Sequence, residues 1–138
     1  MTIFYADTSA LVKLVRDEPE SGALRSYLSD ADLVSCDLAL TELPRAIKRA
    51  AALSPGLHPV AGLLSRADEL LDALALMPLE RDLLVAAGSL DEPGLRSLDA
   101  IHVAAASLAS PLDGFVSYDE RQAAAARLGG LRTFAPGT

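Results

Sequence analysis

The sequence predicts an α/β fold: a single-domain α/β/α sandwich around a central, mainly parallel five-stranded sheet. The chain has 138 residues, enough for one domain with a real core, and 51% of them are hydrophobic against 22% charged. Short apolar runs bounded by acids or glycines alternate with longer stretches in which apolar residues recur every three or four positions. Strands that are separated by helices pair in parallel and carry helices on both faces of the sheet. We therefore expect residues 1–138 to form one domain.

Five short apolar segments are the predicted strands. The first, at 3–6, runs directly into Asp7 and the hydroxyl-rich turn Thr8-Ser9. The other four lie at 33–36, 75–78, 115–117 and 131–134. Because Ala, Leu, Ile and Val fill the intervening stretches at helical spacing, each strand is followed by at least one predicted helix, except the last.

The predicted helices follow from apolar periodicity and from capping residues. They lie at 10–16, 22–28, about 42–53, 60–74, 81–87, 98–109 and from about 122 to 128. Ser21 and Ser97 are predicted N-caps. Pro44 is expected in the first turn of its helix, where its missing N–H has no partner, and Ser54-Pro55-Gly56 should end that helix. The alanine-rich part of the helix that follows Ser97, at 100–109, is apolar nearly all round, which predicts a buried position.

Four acids follow a predicted strand or open a predicted helix: Asp7, Glu42, Asp99 and Asp119. One such acid has an alternative role as a helix N-cap, and that alternative stays open for Asp7. Four at one edge of a parallel sheet indicate a site, because ligands gather at the carboxyl ends of the strands. Two carboxylates about 5 Å apart repel by about 3 kcal/mol at an effective dielectric of about 20. Such a cluster needs a counter-charge, and oxygen ligands suit Mg²⁺ or Mn²⁺, which serve phosphodiester hydrolysis.

Composition excludes several other classes of protein. The net charge of −7 does not fit a protein that coats nucleic acid through a basic surface, although it allows an enzyme that holds nucleic acid through metal ions. All three Phe fall in predicted strands, so a base-stacking platform is not expected. The single cysteine, Cys36, excludes an internal disulfide. No signal peptide or membrane-spanning run is recognisable, so a cytoplasmic protein is expected.

The segments around the four acids resemble the signature segments of PIN-domain ribonucleases, most of all the toxin half of VapBC-type toxin–antitoxin pairs. The segments are Asp7-Thr8-Ser9-Ala10-Leu11, Thr41-Glu42, Arg96-Ser97-Leu98-Asp99-Ala100-Ile101-His102 and Val116-Ser117-Tyr118-Asp119. Each motif is short, but the four in order are specific, and they span the whole chain. The resemblance implies a PIN-like fold and Mg²⁺- or Mn²⁺-dependent endonucleolytic cleavage of RNA. It also implies a homodimer that is inhibited by a cognate antitoxin protein.

The same resemblance assigns roles to individual residues. Asp7, Glu42 and Asp99 match the principal acidic positions of the family, and Asp119 matches the fourth, more variable one. These four acids are therefore the expected catalytic residues and metal ligands. Ser9 matches a hydroxyl that orients the site, and Ser117 is expected to act likewise.

Three basic residues follow Glu42 on the same predicted helix. Arg45, Lys48 and Arg49 are spaced i, i+3 and i+4, so they share one side of the helix. Either they form a solvated surface, or they are a strip that binds RNA phosphates beside the metal site; both interpretations stay open at this point. His102, three residues after Asp99, is expected to be a packed, hydrogen-bonded histidine rather than a ligand or base, and His58 a loop residue.

Other acidic α/β classes match less well. A phosphoacceptor receiver domain needs an adjacent acidic pair after its first strand and a late lysine, whereas Ala6 precedes Asp7 and no lysine follows Lys48. A dehalogenase-like phosphatase needs an acid where Ser9 stands. The remaining alternative is a catalytically silent PIN-like protein-interaction domain, which RNA cleavage would distinguish.

Overall fold

A computed structural model describes residues 2–54 and 59–138. In chain order its elements are β1 (Thr2–Ala6), α1 (Thr8–Val15), α2 (Ser21–Tyr27), β2 (Ala31–Cys36), α3 (Ala39–Leu53), α4 (Val60–Ala73), β3 (Ala75–Met77), α5 (Arg81–Gly88), α6 (Ser97–Ala109), β4 (Gly114–Val116), α7 (Glu120–Leu128) and β5 (Thr133–Phe134). The predicted α/β class is confirmed. None of the helices within the two described ranges is long and apolar enough to cross a membrane.

The sheet is five-stranded with the order β3-β2-β1-β4-β5, and every strand pair is parallel. β1 lies at the centre, where Tyr5 pairs with Val34 of β2 on one side and Phe115 of β4 on the other. The chain moves outward from β1 through β2 to β3 and then returns to β4, so the direction of winding reverses between β1 and β4. The crevice at the carboxyl ends of these two strands is where such sheets bind ligands.

Alternating side chains of β1 divide the core into two layers. Phe4 and Ala6 belong to a cluster with α1 to α4, which includes Leu11, Leu43 and Ile47. Tyr5 points to the opposite cluster, formed with α5 to α7, and its ring stacks on Phe115 with centroids 5.5 Å apart. Successive residues of a strand face opposite sides of the sheet, so β1 anchors both helical layers. The α/β/α sandwich is therefore held from its central strand outward.

The predicted start of α3 was wrong. α3 begins at Ala39, because the Leu38 carbonyl accepts hydrogen bonds from the N–H groups of Thr41 and Glu42. Pro44 therefore lies inside the helix, beyond the first turn, where it leaves the Leu40 carbonyl without the usual partner. Glu42 remains in the first turn.

The two predicted serine caps are first residues of their helices instead. The Ser21 hydroxyl donates a hydrogen bond to the Arg16 carbonyl and accepts one from the Glu18 N–H. α6 begins at Ser97, and the N-cap residue Arg96 makes no side-chain hydrogen bond to the helix. The predicted buried position of α6 is confirmed by residues 102–106, all of them inaccessible or nearly so. Ser54 caps the end of α3, whereas Pro55, Gly56 and His58, which was predicted to be a loop residue, lie outside the described residues.

Candidate active site

Asp7 occupies the end of the central strand and is enclosed by hydroxyl groups. Its Oδ1 accepts hydrogen bonds from Ser9 Oγ at 2.6 Å and from the Ala10 N–H at 3.1 Å, the second of which caps α1. Its Oδ2 accepts a hydrogen bond from Ser117 Oγ at 2.5 Å. The side chain is fully buried. The capping role that the sequence left open for Asp7 is therefore confirmed, and both predicted supporting serines contact this carboxylate.

The two serines tie the turn after β1 to the turn after β4. Ser9 Oγ accepts a hydrogen bond from the Tyr118 N–H at 2.9 Å, and Ser117 Oγ accepts one from the Asp119 N–H at 3.0 Å. Burial raises the pKa of the Asp7 carboxyl, although the hydrogen bonds from Ser117 and Ser9 offset part of that effect. An ionised Asp7 is therefore costly in this position and is sustained by neutral donors.

Two side chains hold Glu42, and both contact the same carboxylate oxygen. Its Oε1 accepts a hydrogen bond from Thr8 Oγ1 at 2.8 Å and lies 2.6 Å from His102 Nε2. Burial alone would raise the pKa of Glu42, but the contact with His102 outweighs burial and lowers it. Glu42 is thus an ionised carboxylate at neutral pH.

Asp99 opens α6 and receives a hydrogen bond from the next helix. Gln122 Nε2 of α7 donates to Asp99 Oδ1 at 3.0 Å, while Gln122 Oε1 is buried and has no partner among the described residues. Burial raises the pKa of Asp99, and the negative charge of Asp119 raises it further. The like-charge repulsion that the sequence predicted therefore acts between these acids.

Asp119 caps α7 and faces the same cleft as Asp99. Its Oδ1 accepts hydrogen bonds from the N–H groups of Arg121 and Gln122 at 2.9 and 3.2 Å. Glu42, Asp99 and Asp119 together line an open cleft of about 670 Å³. The structure brings three of the four predicted acids to one cavity, whereas the Asp7 carboxylate is closed off beside it by Ser9 and Ser117.

The basic residues of α3 separate into two groups. Arg45 and Arg49 line a groove that continues from Glu42 along α1, whereas Lys48 is not part of its wall. All three side chains are exposed, and none forms an ion pair within the described part of the chain. The groove also contains Thr8 and Ser9, so a polyanion in it would lie next to the acids.

His102 is the residue whose role sequence reasoning missed. It is 1% exposed, as expected for a packed histidine, but its Nε2 contacts Glu42 while its Nδ1 lies 2.8 Å from the Tyr5 hydroxyl. Burial opposes a charged imidazolium, yet contacts with Cys36 and Glu42 outweigh burial and raise the pKa of His102 above its ordinary value. Its position three residues after Asp99 was the available signal, but the pairing with Glu42 spans 60 residues.

The donor set fits a hard divalent cation. The three cleft acids supply only oxygen atoms as ligands. Burial and the negative charge of Asp119 raise the pKa of Asp99, and a bound cation would offset the repulsion between the two carboxylates. Over residues 2–54 and 59–138, no three His, Cys, Asp or Glu side chains converge closely enough to enclose an ion. Mg²⁺ does not require three, because it keeps several waters and is bound through one or two carboxylates together with substrate phosphates.

Fold and site together define an α/β domain with an acidic cleft at the switch point of a parallel sheet, and the profile of the PIN domain matches residues 4–128. Ribonuclease VapC35 of Mycobacterium tuberculosis is 43% identical to this chain over 142 residues, which cover 98% of each protein. Ribonuclease VapC47 of the same species is 37% identical over 141 residues, again 98% of each. The chain therefore belongs to the PIN-domain family, among its VapC-type ribonucleases.

Two solved structures share the fold at low sequence identity. VapC20 of Mycobacterium tuberculosis, described as a sarcin–ricin loop cleaving toxin, superposes with a TM-score of 0.66 at 17% identity, over 88% of this chain and 94% of that one. VapBC2 from Rickettsia felis, bound to a DNA fragment from its promoter, gives a TM-score of 0.66 at 14% identity, over 96% and 98%. The predicted PIN-like architecture is confirmed by these superpositions.

Proposed function

We propose that this chain is an endoribonuclease that depends on Mg²⁺ or Mn²⁺ and is the toxin of a type II toxin–antitoxin pair. The observation that carries the proposal is the shared cleft of Glu42, Asp99 and Asp119 at the switch point of the sheet. The full-length similarity to proteins named ribonuclease VapC supports the substrate class. A type II toxin would also have a protein antitoxin as its partner, and we propose that the toxin itself is a homodimer.

The four acids have distinct places in the proposed mechanism. Glu42, Asp99 and Asp119 would hold the metal directly, and Asp7 would join them by exchanging one of its serine hydrogen bonds. The bound cation would supply an activated water and charge stabilisation at the leaving oxygen. Asp99 must be ionised to contribute, and neutralising its repulsion with Asp119 favours that state.

The groove beside the acids provides the proposed RNA contact. Arg45 and Arg49 are exposed, carry no ion pair within the described residues and adjoin Glu42 along α3. Local cations of this kind bind phosphates even on a protein whose total charge is −7. We propose that these two arginines orient the RNA backbone and that Lys48, which is not part of the groove wall, contributes less.

RNA cleavage by the purified protein tests the proposal. Cellular RNA and defined RNA hairpins should be cut in Mg²⁺ or Mn²⁺ and left intact in EDTA, with activity restored by added metal. Asp99→Asn should remove cleavage and preserve the fold, because it relieves repulsion in the cleft. Cleavage that persists in chelator contradicts the metal dependence. A folded wild-type protein that cuts no RNA favours the alternative, a silent interaction domain.

Partners require separate measurements. Induction of the chain alone should arrest growth, and co-expression of the neighbouring antitoxin should restore growth. Light scattering should give the mass of two chains of 14.4 kDa each. A monomer without toxicity on induction would contradict this part of the proposal.

A further inference from the structure

A line of hydrogen bonds runs from the core of the sheet to Glu42. Tyr5 of β1 is fully buried, and its hydroxyl lies 2.8 Å from His102 Nδ1. His102 of α6 then lies 2.6 Å from Glu42 Oε1 through its other ring nitrogen. Side chains from three elements that are far apart in the sequence therefore form one chain of hydrogen bonds, with Glu42 at its solvent end.

The direction of the last hydrogen bond is fixed by chemistry. An ionised carboxylate oxygen only accepts, so His102 Nε2 must carry the proton that it shares with Glu42. In a neutral imidazole, Nδ1 accepts from the Tyr5 O–H; in a charged one, Nδ1–H donates to the Tyr5 oxygen. Both protonation states of the histidine therefore hold Glu42 in the same way.

α3 by itself holds Glu42 weakly. The helix has no side-chain cap, since Leu38 occupies the N-cap position, and Pro44 removes one backbone hydrogen bond two residues after Glu42. Side-chain bonds to the carboxylate come from Thr8 and His102, and both end on Oε1. Oε2 makes no side-chain hydrogen bond in the described parts of the chain, so it is the oxygen that remains for a ligand.

We infer that His102 is a positioning residue: with Tyr5 behind it, it fixes the rotamer of Glu42 so that Oε2 is presented to the metal ion. This inference rests on the proposed metal-dependent function. Outer hydrogen-bond partners of metal-binding side chains typically contribute about 10–100-fold to metal affinity or activity. The ring is almost fully buried, so it acts only through the carboxylate.

The test compares two substitutions of His102, one that keeps a hydrogen-bond donor to Glu42 and one that removes it. His102→Gln places an amide N–H near the position of Nε2, whereas His102→Leu keeps a bulky side chain without a donor. Mn²⁺ affinity, measured by electron paramagnetic resonance on the purified protein, should fall about 10–100-fold in His102→Leu and stay close to wild type in His102→Gln. At saturating Mn²⁺, kcat for a labelled RNA hairpin should fall while KM for the RNA is unchanged.

Two further variants separate positioning from packing. Val103→Ala, on the same buried helix, should destabilise the fold and leave Mn²⁺ affinity unchanged. Tyr5→Phe keeps the ring on Phe115 but removes the hydroxyl, and it should weaken Mn²⁺ binding severalfold. This variant decides the inference if His102→Leu fails to fold.

Unchanged Mn²⁺ affinity in a folded His102→Leu or in Tyr5→Phe overturns the inference, as does equal loss in His102→Gln and His102→Leu. Wild-type protein without measurable Mn²⁺ binding overturns it together with the proposed function. Wild-type protein that binds Mn²⁺ but cuts no RNA overturns only the ribonuclease proposal, and the affinities of the variants still decide the role of His102.

Discussion

Asp7→Asn should stabilise the fold while removing activity, because Asp7 is a fully buried carboxylate in a setting that an amide also fits. The asparagine Oδ1 keeps the hydrogen bonds from Ser9 Oγ and the Ala10 N–H. Its Nδ2 would donate to Ser117 Oγ, and the hydroxyl hydrogen of Ser117 can turn to the Asp119 carbonyl, which lies 3.3 Å away. Asparagine Nδ2 carries two hydrogens and only one of them meets Ser117 Oγ, so the substitution exchanges a buried charge for one buried N–H without a hydrogen bond. At neutral pH the unpaired N–H is the smaller penalty of the two.

The stabilisation by Asp7→Asn should increase with pH. Burial raises the pKa of Asp7 above its ordinary value of 3.8, so the folded state holds this proton more tightly than the unfolded state. Below that value both states are protonated and the wild type bears no penalty. As the pH rises above it, the wild type loses about 1.4 kcal/mol per pH unit from this group until the pH passes the folded pKa. The variant has no such loss, so its advantage grows with pH and then levels off.

Urea unfolding followed by far-ultraviolet circular dichroism measures this difference, in chelator and at one protomer concentration, between about pH 4 and pH 7. Asp7→Ala is the matched control: it also removes the charge, but it loses the cap of α1, worth about 1 kcal/mol, and removes the acceptor of the Ser9 hydroxyl. The alanine variant should be less stable than the asparagine variant at every pH. A gap between wild type and Asp7→Asn that is constant, or that narrows as pH rises, would refute the reasoning.

Two other predictions concern the arginine groove and the acidic cleft. Replacing Arg45 and Arg49 by Ala should weaken RNA binding and reduce its salt slope by about 1.4, at about 0.7 for each lost contact to single-stranded RNA, with Mn²⁺ affinity unchanged. Lys48→Ala is the control on the same helix, and an equal reduction in that variant would contradict the assignment of the groove. Gln122→Leu removes the donor to Asp99, so Mn²⁺ affinity should fall about tenfold while urea stability changes by less than about 1 kcal/mol, because a buried unpaired carbonyl is removed as well. Calorimetric titration that shows wild-type Mn²⁺ affinity in this variant would mean that Gln122 only packs.

Much of the fold was predictable because its rules are local or topological. Short apolar runs located the five strands to within two residues at every boundary, and the strand–helix order required a parallel sheet. The starts of α2, α3 and α6 were not predictable to the residue, because none of these helices begins with a side-chain cap. α3 begins on the Leu38 carbonyl, for which the sequence has no signal.

The composition of the cleft was predictable in part. The strand-end rule brought Glu42, Asp99 and Asp119 to one edge of the sheet, but it could not show that Asp7 would be closed off by two serines. The division of the basic residues follows from helical phase: Arg45 and Arg49 lie three and seven positions after Glu42 and share its stripe, whereas Lys48 turns away from it. Contacts such as His102 with Glu42 have no local pattern, since they depend on how helices pack across the sheet.

Two side chains that hold the acids of the cleft reach across from another element. His102 follows Asp99 by three positions on α6 but contacts Glu42 on α3. Gln122 follows Asp119 by three positions on α7 but donates to Asp99 on α6. α6 therefore carries both an acid and the group that holds another acid, and it is itself held from α7. Its small buried alanines allow close approach to its neighbours. Because His102 and Asp99 lie on the same helix, the hydrogen bond between His102 and Glu42 ties the carboxylate of α3 to the element that carries Asp99.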